Sequence, residues 1–170
     1  MPMTEQLTPT WIGDATLAWL RDAGALSDRP VLIHKGGTRS GKTYNACIAW
    51  ASYLASEGRG ERLSIVRATN PALKATVWRD MVEVLRAMNL YRPEEHNKTD
   101  QEVRLPGGAV IDYFPADDDQ KVHGRKRDHL WANEANELTL DKWDQLALRT
   151  SGKMLLDFNP KMVGNHWIWD

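Results

Sequence analysis

Apolar residues follow two rhythms along this chain, one helical and one extended. Between Trp11 and Ala25 the positions Trp11, Leu17, Leu20 and Ala23 recur at helical spacing, and Ser27-Asp28-Arg29-Pro30 then marks a turn. Pro30 to Lys35 holds a short apolar run, Val31-Leu32-Ile33, bounded by a proline and by glycines, the pattern of a buried strand. Residues 42 to 56 return to helical spacing with Ala46, Ile48, Ala49, Tyr53 and Leu54, and Glu57-Gly58-Arg59-Gly60 ends the segment. A second strand is expected from Leu63 to Ala68. Thr69-Asn70-Pro71 then starts a helix over about Ala72 to Met88, burying Leu73, Val77, Val84 and Leu85. Strand, helix, strand, helix in succession implies a parallel sheet.

Residues 101 to 114 break the alternation. Glu102-Val103-Arg104-Leu105, the turn Pro106-Gly107-Gly108, and Ala109-Val110-Ile111-Asp112-Tyr113-Phe114 form the pattern of a β-hairpin. A charge-rich loop is expected from Asp117 to Asp128. It is followed by a strand at His129-Leu130-Trp131-Ala132, a helix from Leu140 to Arg149 and a strand at Met154-Leu155-Leu156-Asp157-Phe158. Neither an internal repeat nor a low-complexity linker is visible.

Chemistry enters between the first strand and its helix. Residues 36 to 43 read Gly36-Gly37-Thr38-Arg39-Ser40-Gly41-Lys42-Thr43, the full G-x-x-x-x-G-K-[ST] phosphate-binding loop. Glycines let successive backbone N–H groups turn inward onto phosphate oxygens, and the following helix aims its positive end at the same place. Lys42 is expected to reach the β- and γ-phosphates, and the Thr43 hydroxyl to take a position on Mg2+. The strand before and the helix after are the context such a loop needs.

Bulk properties narrow the class. With 170 residues, 42% of them hydrophobic, and a formal net charge of −1, the chain has enough apolar material for one globular core and no general nucleic-acid coat. No apolar run approaches the ~20 residues of a membrane span, and the N-terminus has no basic-then-apolar signal, so a protein that is not secreted is expected. Cys47 is the only cysteine, which excludes an intramolecular disulfide or thiolate cluster; it is expected to pack as a small apolar residue. The five histidines show no metal-ligand spacing. The eight tryptophans fall mostly at positions that core packing explains.

A second acidic element follows the strand at residues 129 to 132. There Asn133-Glu134 occupies the place where a phosphate-loop ATPase carries its second motif. Glu134 is the candidate general base or water-positioning group, since an attacking water needs a fixed acceptor in line with the γ-phosphate. Asn133 stands where an aspartate usually holds Mg2+, directly or through water; its amide oxygen accepts but brings no charge, which weakens the metal site. Glu137 is read as a solvated residue at the start of the next helix.

Together these elements resemble the N-terminal ATPase domain of the phage terminase large subunit. The resemblance is carried by Gly36 to Thr43, Val66-Arg67, Gly124, Trp131-Ala132-Asn133-Glu134-Ala135-Asn136-Glu137-Leu138, Asp157-Phe158-Asn159-Pro160 and His166-Trp167, over roughly residues 30 to 170. It implies an α/β P-loop NTPase three-layer sandwich, with a mainly parallel sheet and an inserted β-hairpin, preceded by an N-terminal helical segment at 1–29. It further implies an ATPase that drives double-stranded DNA into a procapsid, with ATP and Mg2+ as cofactors. The portal protein, the terminase small subunit and further copies in a homo-oligomeric ring are its implied partners, in the cytoplasm of the bacterial host. Arg39 matches an arginine of terminase phosphate loops that senses the γ-phosphate, with a solvated loop residue as the alternative. Asn159 resembles the coupling residue that reports γ-phosphate loss, with a strand-ending Asn-Pro turn as the alternative.

Several readings stay open at this level. Arg67 faces either the nucleotide or the sheet edge. Lys121, Arg125, Lys126 and Arg127 touch DNA phosphates, supply an arginine to a neighbouring subunit, or form a solvated loop, and Asp117, Asp118 and Asp119 favour the last. Another P-loop enzyme, a helicase-like ATPase or a small-molecule kinase, is the rival function, and a nucleotide-binding remnant with little turnover is a third. Terminase large subunits continue into a nuclease. No acidic nuclease cluster is seen by residue 170, so an ATPase domain incomplete at its C-terminus and without DNA cleavage is expected.

Overall fold

The computed structural model describes residues 11–22, 30–37, 41–124, 126–160 and 166–169. Helix α1 (Trp11–Arg21) precedes strand β1 (Val31–Lys35), and α2 (Lys42–Ser56) follows the phosphate loop. Strand β2 (Arg62–Arg67) leads into α3 (Asn70–Leu73), a π-helical turn at Lys74–Trp78 and α4 (Arg79–Ala87). The backbone stays helical across both junctions, with Lys74 at φ −68° and Arg79 at φ −58°. Strands β3 (His96–Asn97), β4 (Glu102–Arg104) and β5 (Val110–Pro115) come next. They are followed by α5 (Asp119–Gly124), β6 (His129–Ala132), α6 (Leu140–Leu148) and β7 (Met154–Phe158).

The seven strands form one sheet in the order β1-β7-β6-β2-β5-β4-β3. The five strands β1, β7, β6, β2 and β5 are mutually parallel, and β4 and β3 add an antiparallel edge. The expected hairpin is therefore present, and its second strand, β5, is also the outermost strand of the parallel set. The turn of that hairpin places Gly107 at φ 103° and Gly108 at φ 90°, left-handed values that glycine adopts without steric cost.

Strand side chains alternate between two apolar layers. Leu63, Ile65, Ile111, Trp131 and Leu155 pack with Trp19, Ala46, Trp50, Leu54, Met81 and Leu85 of the helices α1, α2 and α4. Val66, Phe114, Leu130, Ala132, Leu156 and Phe158 face the other way, onto Val122 of α5 and Leu146 of α6. A parallel sheet covered on both faces buries nearly continuous apolar strands, which is why β2, β5, β6 and β7 read as short hydrophobic runs. Strand β1, expected as a buried strand, is instead an edge strand with Val31 38% and Ile33 48% exposed, because it has a neighbour on one side alone. Helix on sheet on helix is the three-layer arrangement expected from sequence.

Three further expectations change. Residues 119 to 124, expected as loop, close a short helix around the fully buried Val122. Arg127, grouped with solvated basic residues, is 2% exposed. Its guanidinium donates to the carbonyls of Leu146 at 3.1 Å and of Lys121 and Val122 at 3.4 Å, and it lies 5.5 Å from the Phe114 ring, so it joins α5 and α6 to the sheet. Of the tryptophans, Trp19, Trp50, Trp78 and Trp131 are buried, whereas Trp11 is 78% and Trp169 46% exposed. Cys47 is fully buried in the α2 core, as expected of an apolar packer.

Candidate nucleotide site

Parallel strands bring their carboxyl ends to one rim of the sheet, where loops can gather groups from distant parts of the chain. Here that rim carries Lys35 leading into the glycines, Arg67 at the end of β2, Asn133 and Glu134 after β6, and Asn159 after β7. The hydrogen bond from Gly36 N to Phe158 O, 3.3 Å, carries the β1–β7 pairing into the loop itself. A cleft of about 370 Å³ opens there, and among its lining are Lys42, Thr43, Arg67, Thr76, Asn133 and Glu134. The end of the phosphate loop and the Asn133-Glu134 pair, far apart in the chain, thus share one cavity; Asn159 is at the same rim but is not among the residues that line it.

Helix α2 begins at the cleft with Gly41 at φ 75° and ψ 3°, and a Cβ there would lie 3.2 Å from Asn45 Nδ2. The left-handed backbone favours glycine at this position, and a Cβ would also press on the Asn45 side chain. Asn45 Nδ2 donates to Gly41 O at 2.9 Å and fixes the first turn. The Lys42 ammonium donates to Gly36 O at 2.7 Å and Gly37 O at 3.0 Å, folded onto the loop it would leave to meet phosphate oxygens. Thr38, Arg39 and Ser40, and Arg125 of the basic group, lie outside the described residues.

Arg67 resolves toward the cleft. Strand β2 is interior to the sheet, and Arg67 at its end lines the cavity. Its guanidinium is held by paired hydrogen bonds to the Glu137 carboxylate, both 3.1 Å, and by one to Thr76 Oγ1 at 2.7 Å. Thr76 sits in the π-helical turn, an element frequently found at functional sites because it bulges one side chain out of helical register. Burial alone would lower the Arg67 pKa; the Glu137 hydrogen bonds and charge outweigh it and raise it. Glu137 is exposed, as expected of a solvated residue, and it also anchors this arginine.

Glu134 lies at the bend after β6 with φ 51° and ψ 54°, a left-handed conformation unfavourable for a residue with a Cβ. Burial and the nearby Asp157 charge hold its carboxyl above the usual range, while Arg67 and Lys42 act the other way. A raised carboxylate pKa at a strained bend facing a cleft makes Glu134 a candidate acid or base.

One model of a known protein family, phage terminase large subunit, matches residues 29–170. The chain belongs to that family. No curated protein matches it. Among solved structures, the large terminase of a thermophilic bacteriophage superposes with a TM-score of 0.75 at 19% identity, over 90% of this chain and 39% of that one. The same terminase in complex with ATP-gamma-S gives a TM-score of 0.73 at 19% identity, over 90% of this chain and 38% of that one. The large terminase ATPase domain of Thermus phage P74-26 gives 0.68 at 16% identity, over 95% of this chain and 68% of that domain. The chain spans about two fifths of the length of the first of these terminases, and at these identities the likeness is one of fold: that of a terminase ATPase domain.

Within this terminase fold the structure adds a residue to which sequence reading gave no role. Asp157 on β7 is 1% exposed, and its carboxylate collects Trp131 Nε1 at 2.6 Å, Asn133 Nδ2 at 3.0 and 3.1 Å, and the Glu134 backbone N–H at 3.3 Å. The pairing of Trp131 with Leu155 and Ala132 with Leu156, continued one step, brings Asn133 beside Asp157. Burial holds the Asp157 pKa above the usual carboxylate value, and its donors and the Lys42 charge offset that only in part. Asn133 spends its amide donors on this carboxylate, and its Oδ1 is buried with no partner among the described residues. A buried acceptor left unmatched costs about 1–3 kcal/mol, so this oxygen is an expensive feature for a fold to retain. The signal in the sequence was an acidic residue inside an otherwise apolar strand.

The residues fit a magnesium-bound nucleotide in chemistry. Thr43 offers a hydroxyl and Asn133 a neutral oxygen, hard donors of the sort Mg2+ takes while keeping several of its waters and the nucleotide phosphates. No cluster of three or more His, Cys, Asp or Glu side chains able to hold a metal without a nucleotide occurs among the described residues. Nor does any helix among them have the length and apolarity to cross a membrane.

Proposed function

We propose that this chain binds ATP in the cleft behind the Gly36 to Thr43 loop, hydrolyses it, and uses the cycle to move double-stranded DNA as part of a phage packaging motor. The observation that carries this reading is the meeting of Lys42 and Thr43 with Glu134 and Arg67 in one cavity. Lys42 exchanges its loop carbonyls for β- and γ-phosphate oxygens, and the loop N–H groups with the α2 terminus hold the rest of the triphosphate. Thr43 and, by way of water, Asn133 would hold Mg2+, which would neutralise charge on the phosphates. Glu134 orients the attacking water and accepts its proton, which the raised carboxyl pKa favours. Arg67, fixed by Glu137 and Thr76, directs positive charge toward the phosphoryl group being transferred.

Asn159 ends the strand that lies between the loop strand and the acidic strand, a position from which changes at the γ-phosphate reach both neighbours. That placement supports the coupling role that its terminase resemblance implies. Arg39 as γ-phosphate sensor, a portal protein and small subunit as partners, and a ring of copies belong to the same proposal. So does the division into a helical segment at 1–29 and an ATPase domain at 30–170.

The decisive measurement is the fate of the γ-phosphate. Release to water, lost in Lys42→Ala by about a hundredfold or more, is the expected result, since the lysine's charge acts on the transferring group. A phosphorylated acceptor would make the chain a kinase, and an unchanged rate in Lys42→Ala would end the mechanism. Tight ATP binding with no phosphate release, even with DNA present, would leave a nucleotide-binding remnant.

A further inference from the structure

Position 133 has an amide where this kind of site usually has a carboxylate, yet a carboxylate stands in hydrogen-bond contact with that amide, one strand over. We propose that Asp157 is the positioning residue for the metal side of the cleft, acting through Asn133. The inference rests on the nucleotide reading given above and adds to it the source of the missing negative charge.

The geometry is specific. A planar amide carries its NH2 and its oxygen on opposite sides of the same carbon, so anchoring Nδ2 to both Asp157 oxygens, at 3.0 and 3.1 Å, fixes where Oδ1 points. That Oδ1 is the buried acceptor with no partner among the described residues, on a residue that lines the cleft. An N–H donated to a carboxylate polarises the amide, and its oxygen becomes a stronger acceptor for a metal-bound water. Asp157 is itself held by Trp131 Nε1 and by the Glu134 N–H, so one carboxylate sets the orientation of Asn133 and steadies the left-handed bend of Glu134. Metal sites depend on such outer partners nearly as much as on their ligands. The charge lies on β7 rather than β6, and the amide relays it.

Three variants test this: Asp157→Asn, Asn133→Asp, and the double exchange Asn133→Asp with Asp157→Asn. Each is titrated with ATP-gamma-S, once with magnesium chloride and once with EDTA, after thermal unfolding without nucleotide has shown which proteins are folded. Asp157→Asn is expected to keep the parent's affinity in EDTA, where Lys42 and the loop do the binding, and to lose at least about tenfold of the gain that magnesium gives. Asn133→Asp sets two carboxylates against each other and is expected to unfold at lower temperature than the parent. The double exchange restores one carboxylate and one amide, and with them the magnesium gain.

A folded Asp157→Asn protein with the parent's full magnesium gain overturns the proposal, as does a double exchange no better than Asp157→Asn alone. If Asp157→Asn does not fold, the double exchange decides: a retained gain supports the relay and a lost gain refutes it. A parent that binds ATP-gamma-S without any magnesium gain removes the relay and leaves the nucleotide site standing. A parent that binds in neither condition removes both.

Discussion

The two ends of the same parallel strands both carry polar networks, and they differ in what else stands beside those networks. At the amino ends, polar groups find partners across the sheet: Arg62 donates to Asp112 at 2.6 Å and Glu102 at 3.2 Å, and its backbone N–H donates to Asp128 at 2.7 Å. His129 Nδ1 accepts from the Lys153 backbone at 3.1 Å, and its Nε2 meets Glu61 at 2.7 Å. At the carboxyl ends stand a left-handed glutamate, a lysine bent back on its own loop and an asparagine oxygen without a partner among the described residues. The first end holds the layers together. The second keeps a strained bend, an acceptor, unpaired among the described residues, that a water or other donor could meet, and a lysine whose ammonium can pass to phosphate oxygens.

Substitutions at the two ends should therefore separate chemistry from stability. Glu134→Gln is expected to slow phosphate release by about 10²–10⁴-fold, the usual contribution of a positioned base, with ATP affinity and unfolding temperature near those of the parent. An equal loss of binding and turnover would shift Glu134 from chemistry to architecture. Arg62→Met acts in reverse: it leaves the buried Asp112 carboxylate without its guanidinium and is expected to cost about 3 kcal/mol in urea unfolding. ATP affinity of the folded fraction should not move, and a large change in it would mean that the two ends are coupled.

The smallest effect concerns His34, near the cleft end of β1. Thr16 Oγ1 donates to Ile12 O at 2.6 Å, so at 2.9 Å from His34 Nε2 it must accept, which assigns the imidazole proton to Nε2. Burial first, and then the Lys42 charge, lower the His34 pKa from 6.5 to about 4. The unfolded chain then takes up a proton more readily than the folded one. Stability from this group is full above about pH 6.5 and is lost as pH falls toward 4. His34→Asn should flatten that part of the pH–stability curve in chemical unfolding; an unchanged slope would remove His34 as its source.

Much of this was legible in the sequence because it is local. The phosphate loop is a contiguous motif, and β1, β6 and β7 are short apolar runs whose bounds match closely. Helix α2 covers residues 42 to 56 as its periodicity indicates. What escaped depends on partners distant in the chain. Arg127 looked solvated beside three aspartates, since nothing local reveals that the Leu146 carbonyl will meet its guanidinium. Glu137 is exposed as read, but its pairing with Arg67, seventy positions earlier, was not visible. Helix α5 is too short to show a period, and only Val122 anchors it. The tie between Asp157 and Asn133 appears only when β7 is known to lie beside β6.

The π-helical turn at Lys74–Trp78 has a consequence for how this site can vary. It joins α3, which packs on β2 and β5, to α4, which packs on α2. A π-turn takes in one residue more than an α-turn, so the segments on either side keep their helical phase while the turn carries Thr76 to within 2.7 Å of the Arg67 guanidinium. Removing one residue there would leave an ordinary α-helix with α3 and α4 still docked, and the contact to Arg67 is what would go. A single deletion would thus strip the cleft of one polar group and leave the packing around it in place.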